Sequence, residues 1–299
     1  MTTPTPFDRL LERVGAGDRL SPGEIADLAG TPDILALGMM ADAVRRRLHG
    51  DRVTYVRVAA CPFDGSFTDL VPPAAREVRI TGAPGSLAVA VTSVGSARAV
   101  AGERTVSGFS WPDVESLAAR SQKTMVEVLA ALRKAGLDAL AEVPIDKVAD
   151  IRAAVTALTH AGFERLRLTC AAASAADRTA LFLQAAAVQD EAGGIEVLNP
   201  LPAAVAPMRP TTGYDDVKAV AMARLAAPSI PVIQVDWLRY GPKLAQVALT
   251  FGADDLDSVT SSEEAPDGQR RAPIQDVRRN IEAAGFSPVE RDGRFNQVP

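Results

Sequence analysis

The sequence is poor in the residues that build metal centres and base-stacking surfaces. It has 2 cysteines and 2 histidines in 299 residues, and aromatic side chains make up only 5%. Cys61 and Cys170 lie far apart and indicate no disulfide framework, and neither can form a zinc or cluster site alone. The shortage of aromatic residues also argues against platforms on which nucleic-acid bases stack.

The chain also lacks a basic excess and a long apolar run. Its net charge of −5 offers no positive field for nucleic acid or an anionic membrane. No apolar run approaches the ~18 residues of a membrane helix, and the start shows no signal peptide. With 47% hydrophobic and 23% charged residues, the sequence predicts a globular cytoplasmic protein with a sizeable core.

The first part of the chain predicts helices. Ser21, Pro22 and Glu24 have the spacing of a helix start with a capping box, and a second start follows at Thr31-Pro32-Asp33. We expect residues 1–51 to form an N-terminal helical extension without its own core, followed by a domain over 52–299.

The rest alternates strand and helix patterns. Eight segments favour strands: 53–58, 77–81, 104–109, 138–143, 165–169, 195–198, 231–236 and 253–257. Amphipathic helices between them predict an α/β fold, a TIM-like (β/α) barrel, with an open doubly wound sheet as the alternative. Residues 58–78 leave little room for a full crossover helix, and residues 82–101 are rich in glycine and serine and poorly periodic, so over 58–104, its first third, the barrel is expected to be short, open or incomplete.

The stretch Gly241–Val259 is the most informative. Leu244, Val247, Ala248 and Phe251 fall at i, i+3, i+4 and i+7, the apolar stripe of a helix that Gly252 ends. A strand with three acids, Asp254, Asp255 and Asp257, follows. Unpaired buried carboxylates are too costly, so at least one is expected to line a cavity or meet a partner.

Several stretches together resemble one family. The resemblance is to the radical S-adenosylmethionine family that contains aminofutalosine synthase, dehypoxanthine futalosine cyclase and the subunits of FO synthase. It rests on Leu37-Gly38, Ala41-Asp42, 45–55, 135–138, 189–191, Gly193-Gly194, Pro200-Leu201, 210–257 and 290–292. It implies a barrel that binds nucleoside-like ligands at the carboxyl ends of its strands, in the futalosine route to menaquinone, with a [4Fe–4S] cluster and S-adenosylmethionine.

The cluster motif of that family is not matched. Its three cysteines, spaced C-x-x-x-C-x-x-C after the first strand, align with Arg57, Cys61 and Asp64. An arginine cannot ligate iron, and one thiolate does not anchor a cluster. We therefore expect no cluster, no bound S-adenosylmethionine and no radical chemistry, and Cys61 is interpreted as vestigial.

Acids and an aromatic residue at predicted strand ends are the candidate ligand-binding residues. Asp113 and Asp146 stand where the resembled family tends to have glutamates, and Asp254 and Asp255 match it outright. The last two could equally cap a helix or pair with Arg239, and Trp237 could simply pack at the barrel rim. The full candidate set is Asp113, Asp146, Asn199, Asp236, Trp237, Asp254 and Asp255.

Two functions follow as hypotheses. The first is a non-catalytic, ligand-holding or regulatory partner of an intact radical relative, or a homo-oligomer. The second is a cluster-free enzyme acting on a futalosine-like nucleoside or a carboxybenzoate by acid–base chemistry. An intermolecular cluster that shares Cys61 between subunits is a third possibility. Neither nucleic acid nor a membrane is expected as a partner.

Overall fold

Eight parallel strands close into a barrel in the computed structural model, which describes residues 6–171, 175–202, 212–264 and 273–298. Each strand pairs with the next, and β8 returns to β1; a ninth strand, β9, lies beside the first half of β1. The strands are β1 Arg52–Pro62, β2 Glu77–Thr81, β3 Thr105–Ser110, β4 Ala139–Pro144, β5 Leu166–Cys170, β6 Ile195–Pro202, β7 Val232–Asp236, β8 Asp255–Thr260 and β9 Ser287–Glu290.

Helices surround the barrel and precede it. They are α1 Pro6–Ala16, α2 Pro22–Gly30, α3 Ile34–His49, α4 Phe67–Leu70, α5 Leu87–Ala101, α6 Trp111–Ser121, α7 Met125–Ala135, α8 Ile151–His160, α9 Ala175–Ala192, α10 Gly213–Ala226, α11 Trp237–Leu249 and α12 Pro273–Ala283, with a 3-10 turn at Ile145–Lys147. Within the described ranges, no helix is both long enough and apolar enough to cross a bilayer.

The expectation of an open or incomplete first third is wrong. The end of β1 pairs with β2 from Val58↔Glu77 to Pro62↔Thr81, and β2 pairs with β3. The crossover from β1 needs only the single turn of α4, while α5 is a full helix of 15 residues. Its buried side chains are small, among them Ala90 and Ala97, and this weak apolar contrast hid its helical period.

The eight predicted strands are otherwise confirmed, with shifts at their ends. β1 and β6 run past their predicted ends to Pro62 and Pro202, and β8, predicted over 253–257, is found over Asp255–Thr260. The turn after α11 extends further than Gly252, and the Asp254 N–H already donates to the Ile233 carbonyl at the entrance to the barrel. The acids therefore lie early in β8.

The N-terminal helices form as predicted. Ser21 caps α2, and the Glu24 carboxylate accepts a hydrogen bond from the Ser21 N–H at 2.8 Å, which completes the capping box. Helix α3 packs against α10 of the barrel. The division of the chain at residue 51 stays a prediction.

The stripe predicted for α11 is partly wrong. Gly241 breaks the helix as expected, with φ of 74°. Beyond it Ala245, Ala248 and Leu249 are buried, but Val247 is 45% exposed. The buried face of α11 is therefore rotated from the predicted stripe toward Ala245, and this face packs on the barrel.

Charged side chains fill the barrel interior. Glu77 on β2 is fully buried and accepts hydrogen bonds from both terminal nitrogens of Arg167 on β5, at 2.8 and 2.6 Å. Asp255 on β8 is equally buried and is held by Arg291, with Nη2–Oδ1 at 2.7 Å. Because each buried carboxylate meets a guanidinium, the desolvation of these charges is offset by pairing.

The segment after β9 closes the amino-terminal end of the barrel. Arg291 enters from this segment, and the ring of Phe295 stacks under it, with the guanidinium carbon 3.8 Å from the ring centroid. Gly293 lies so close to the barrel that a Cβ there would come within 2.5 Å of Thr105. The barrel is therefore plugged at this end and open only at the other.

Candidate functional site

A cavity of about 750 Å³ opens at the carboxyl ends of the strands. Six of the eight barrel strands, β1, β2, β3, β4, β7 and β8, and the first turn of α11 supply its walls. This is the end of a β/α barrel at which active sites are built. Its lining includes Ala59, Ala60, Leu70, Arg79, Ile80, Thr81, Gly82, Phe109, Ser110, Asp113, Glu142, Asp236, Leu238, Arg239, Ser258, Thr260, Ser261 and Ser262.

Arg79 forms the charged floor of this cavity. Its terminal nitrogens bind the Asp257 carboxylate at 2.8 and 2.9 Å, and Nη2 also donates to Glu77 at 2.7 Å. Burial works to lower the pKa of Arg79, but the charges of Asp257 and Glu77 outweigh it and raise that pKa well above its usual value. The floor is therefore a permanent cation whose charge is already matched by two carboxylates.

Two predicted acids line the cavity, and both cap helices. Asp113 accepts hydrogen bonds from the Ser110 N–H at 2.8 Å and the Ser110 hydroxyl at 2.7 Å, at the start of α6. Asp236 accepts from the Arg239 N–H at 2.8 Å, at the start of α11, and from the Ser258 hydroxyl at 3.0 Å. Their carboxylates are thus held in place by backbone donors; a role in ligand binding stays a prediction.

Sequence reasoning missed Glu142 and Arg239 as a facing pair. Arg239 Nη2 lies 3.7 Å from Glu142 Oε1, and both side chains are 34% exposed at the cavity wall. The sequence indicated Arg239 only as a partner for Asp254 and Asp255. The position of Glu142 near the end of a strand was the available signal.

The sequence also did not predict the serine and threonine hydroxyl groups that line the cavity. Ser258 and Thr260 in the second half of β8 line one wall together with Ser261 and Ser262, which follow the strand, and Ser110 lines the cavity at the end of β3. Short hydroxyl side chains both donate and accept hydrogen bonds, so such a wall suits a ligand with several hydroxyl or amide groups.

Asp254 and Asp255 do not line the cavity, so their predicted position is wrong. Asp254 lies at the amino-terminal end of the barrel, where it pairs with Arg224 and approaches His49 Nε2 at 3.2 Å. Asp255 lies inside the barrel and pairs with Arg291. Both acids do meet partners, as burial requires, but the partners are these arginines and not Arg239.

The other three predicted residues lie around the rim or within the wall. The Asp146 carboxylate accepts a hydrogen bond from the Ala171 N–H at 2.7 Å, which ties the 3-10 turn to the end of β5. Asn199 is 6% exposed and its side-chain oxygen accepts from the Leu201 N–H at 3.2 Å. Trp237 packs against the core at the start of α11, in agreement with the packing alternative.

The three cluster positions do not converge. Arg57 is turned to Glu290 and Glu263, with Nε–Oε1 of 2.9 Å and Nη1–Oε1 of 3.2 Å. The Cys61 thiol is fully buried and points to the carbonyls of Ala59 and Leu70, at 3.8 and 4.0 Å.

The third position, Asp64, is exposed and lines a separate groove beside α5. Among the described residues, no group of three histidine, cysteine or acidic side chains could hold a metal ion. A [4Fe–4S] cluster needs three convergent thiolates. The donor set at these positions does not fit it.

Both thiols are also poor nucleophiles. Burial raises the pKa of Cys61. Burial, assisted by the negative charge of Asp146, raises the pKa of Cys170 to about 12. Neither cysteine is therefore a thiolate near neutral pH.

Comparison with known proteins places the likeness mainly in the last third of the chain. Residues 203–299 match the family model described as the CofH/MqnC C-terminal region. The 5-amino-6-(D-ribitylamino)uracil–L-tyrosine 4-hydroxyphenyl transferase of Archaeoglobus fulgidus is 36% identical over 122 residues, which cover 36% of this chain and 35% of the relative. The aminodeoxyfutalosine synthase of Streptomyces coelicolor is 30% identical over 129 residues, 36% of this chain and 33% of the relative.

A weaker likeness extends over the whole chain. The cyclic dehypoxanthine futalosine synthase of Streptomyces coelicolor is 24% identical and covers 100% of this chain and 90% of the relative. In the transferase and the aminodeoxyfutalosine synthase, by contrast, the match spans about a third of the length of each relative.

Solved structures share the fold. Methylornithine synthase superposes with a TM-score of 0.64 at 15% identity, over 93% of this chain and 97% of that one. The hydrogenase maturase HydG gives a TM-score of 0.68 at 13% identity, over 95% and 75%. The chain thus resembles the futalosine and FO synthase enzymes, as the sequence predicted, and its β/α barrel is closed.

Proposed function

We propose that this chain is a ligand-holding relative of the futalosine-pathway radical enzymes that works in the cytoplasm without an iron–sulfur cluster of its own. It binds a small nucleoside-like molecule in the strand-end cavity and acts as a non-catalytic or regulatory partner of an intact relative. One observation supports this above all. The cavity is open and lined with polar groups, while Arg57 pairs with Glu290 and Glu263 and the Cys61 thiol is buried against backbone carbonyls.

The polar lining supports a nucleoside-like ligand. The hydroxyl wall at the end of β8 offers donors and acceptors to a ribose, and Phe109 and Leu238 offer apolar surface to a base. The names of the relatives point to the same class, since two of them are futalosine synthases. Asp113 and Asp236 lie on the wall and contribute acceptors.

A binding experiment tests the ligand. Thermal-shift measurements with futalosine and its aminodeoxy form are expected to stabilise the protein, and Ala60→Phe, which places a ring in the cavity, is expected to remove the effect. Ala88→Phe is the matched control, because Ala88 is exposed beside α4 in the separate groove. Equal stabilisation of both variants would exclude the cavity as the binding site.

Iron analysis tests the missing cluster. After anaerobic reconstitution with iron and sulfide, the protein is expected to stay colourless and to retain far less than stoichiometric iron. The cyclic dehypoxanthine futalosine synthase of Streptomyces coelicolor, treated in parallel, serves as the positive control. Brown material with about four irons per chain would reject the proposal, and iron shared between two chains would favour the intermolecular cluster through Cys61.

A pull-down tests the partnership. Tagged protein co-expressed with an intact radical relative from the same source is expected to retain it, or to form a homo-oligomer, on a column. Recovery of the chain alone as a monomer would count against a partner role. It would leave the second candidate function.

That second candidate is a cluster-free enzyme with acid–base chemistry, and Glu142 is the observation that favours it. Asp113 and Asp236 on the cavity wall cap helices, whereas Glu142 does not. Arg239 Nη2 lies 3.7 Å from Glu142 Oε1 and stabilises the charge of this carboxylate. A carboxylate in such a position can accept a proton from a bound substrate. Turnover of a futalosine-type nucleoside or a carboxybenzoate that Glu142→Gln abolishes, with ligand binding retained, would establish this function instead.

A further inference from the structure

A second cavity, of about 280 Å³, lies on the side of the barrel between α2, α9 and α10. It is separate from the strand-end cavity and shares no lining residue with it. Phe182, Ala219 and Met222 supply apolar walls, and Arg178 and Lys218 supply positive charge.

Arg178 is the unusual member of this lining. Its side chain is 1% exposed, yet none of its three guanidinium nitrogens meets a hydrogen-bond acceptor among the described residues. A buried charged group without hydrogen bonds is strongly unfavourable, and arginine cannot lose its proton to escape. An acceptor supplied from outside the chain would remove this cost.

The other buried arginines of the fold show the contrast. Arg224, 0% exposed, pairs with Asp254 and donates to the Gly252 carbonyl at 3.1 Å. Arg291 is held by both oxygens of Asp255. Each of these two guanidinium groups is held by a carboxylate, whereas Arg178 has no hydrogen-bond partner among the described residues.

The position of Arg178 in its helix does not stabilise its buried charge either. It is the fourth residue of α9, near the positive end of the helix dipole, where a cation is disfavoured. The first turn of α10 also lies at this cavity, through Tyr214 and Asp215. Two helix N-termini and a guanidinium together favour an anion at this place.

The lining has a net charge of +1, which favours an anion with one negative charge. Arg178 and Lys218 are positive and Asp215 is negative, and the Lys218 ammonium is already held by the Thr31 carbonyl at 2.8 Å. The Asp215 carboxylate accepts hydrogen bonds from Thr212, which chiefly lower its pKa, and Arg178 adds a smaller electrostatic effect. Asp215 therefore lies within electrostatic range of Arg178 but is used as a helix cap.

We propose that this cavity binds the carboxylate of a small apolar acid, with Arg178 as its partner. The planar guanidinium fork matches the two oxygens of a carboxylate. Phe182, Ala219 and Met222 accommodate a hydrocarbon body, which a hydrated phosphate lacks. The volume, near the lower limit of small-molecule pockets, restricts the acid to a small one.

Calorimetric titration with sodium valerate tests the site, with valeramide as a neutral probe of the same shape and inorganic phosphate as the alternative anion. Valerate is expected to bind, and valeramide to bind at least about tenfold more weakly, because a hydrogen bond to a charged group contributes on the order of 1.5–3 kcal/mol. Arg178→Met is expected to lose valerate binding by a similar factor. Equal binding of valeramide, tighter binding of phosphate, or unchanged binding by Arg178→Met would overturn the proposal.

Thermal unfolding without ligand gives an independent readout. Arg178→Met removes a buried charge that lacks acceptors, so its melting temperature is expected to equal or exceed that of the parent. Arg224→Met is the matched control, and it is expected to melt at a lower temperature because it leaves Asp254 buried without its guanidinium partner. If Arg178→Met were destabilised as strongly as Arg224→Met, or failed to fold, Arg178 would be a structural residue and the proposal would be wrong.

Discussion

Arg79 binds Asp257 through two nearly parallel hydrogen bonds, Nη1–Oδ2 of 2.8 Å and Nη2–Oδ1 of 2.9 Å, directly beneath the strand-end cavity. The pair joins β2 to β8 across the barrel. It therefore links the floor of the candidate site to the closure of the barrel that the sequence left uncertain.

Breaking this pair is expected to destabilise the fold. Arg79→Met leaves Asp257 and part of Glu77 without their cation, so the free energy of unfolding should fall by roughly 3–5 kcal/mol. In a double-mutant cycle with Asp257→Asn, the two changes should be strongly non-additive. Urea denaturation followed by circular dichroism measures both quantities.

Arg294→Met is the control for this experiment. Its side chain is 53% exposed and its nitrogen lies 3.7 Å from Asp138, so the change should alter stability by less than about 1 kcal/mol. Additive effects of Arg79→Met and Asp257→Asn would contradict the bidentate pair.

Glu77 should determine part of the acid stability of the protein. Burial works to raise the pKa of Glu77, but the charges of Arg167 and Arg79 outweigh it and lower that pKa well below its usual value. A carboxylate with a lowered pKa stabilises the fold above its unfolded pKa of about 4.3, and this contribution is lost as the pH falls below that value. Glu77→Gln should therefore be much less stable than the parent at pH 7.

The difference in the free energy of unfolding between the parent and Glu77→Gln should narrow as the pH falls from about 5 toward 3. Chemical denaturation over this range provides the measurement. A difference in stability that stays constant from pH 7 to pH 3 would show that the charge of Glu77 does not contribute.

Both cysteines should resist modification in the folded protein. The pKa of each thiol is raised by burial, that of Cys170 to about 12, so little thiolate exists at pH 8. Reaction with 5,5′-dithiobis(2-nitrobenzoate) is expected to be slow in buffer and to reveal 2 thiols in guanidinium chloride. Rapid modification of one thiol, lost in Cys61→Ala, would mean that Cys61 reaches solvent.

The position of Gly293 should not tolerate a side chain, because its backbone lies against Thr105 and Glu77. A Cβ at this position would lie 2.5 Å from the Thr105 Cβ and 3.0 Å from a Glu77 oxygen. Gly293→Ala is therefore expected to lower the free energy of unfolding by about 1–3 kcal/mol. Gly213→Ala, where a Cβ meets nothing within 4 Å, is the control and should stay near the parent.

The sequence predicted the barrel because strand and helix periods alternate clearly over most of the chain. It failed at α5, whose buried residues such as Ala90 and Ala97 are too small to produce apolar contrast with their neighbours. It also could not see that one turn, Phe67–Leu70, is enough to connect β1 to β2. Closure is a property of strand pairing, which sequence periodicity does not report.

The candidate site was predicted less well than the fold. Asp113 and Asp236 were found because acids at strand ends are conspicuous, but β8 begins at Asp255, so that Asp254 lies at the amino-terminal end of the barrel and Asp255 lies inside it. Arg79 was missed because its partner Asp257 lies on β8, 178 residues away in the sequence. Such interior pairs depend on which side chains share a layer of the barrel, and this requires the register between strands.

The plug formed by Arg291 imposes an order on folding during synthesis. Asp255 emerges from the ribosome 36 residues ahead of the arginine that neutralises it. Before Arg291 has been translated, the eight strands enclose the negative charge of Asp255 without its partner. The nascent barrel should therefore remain incompletely packed even though all its strands have been translated. The moment at which the chain becomes resistant to protease is therefore expected to follow the appearance of Arg291, not of β8.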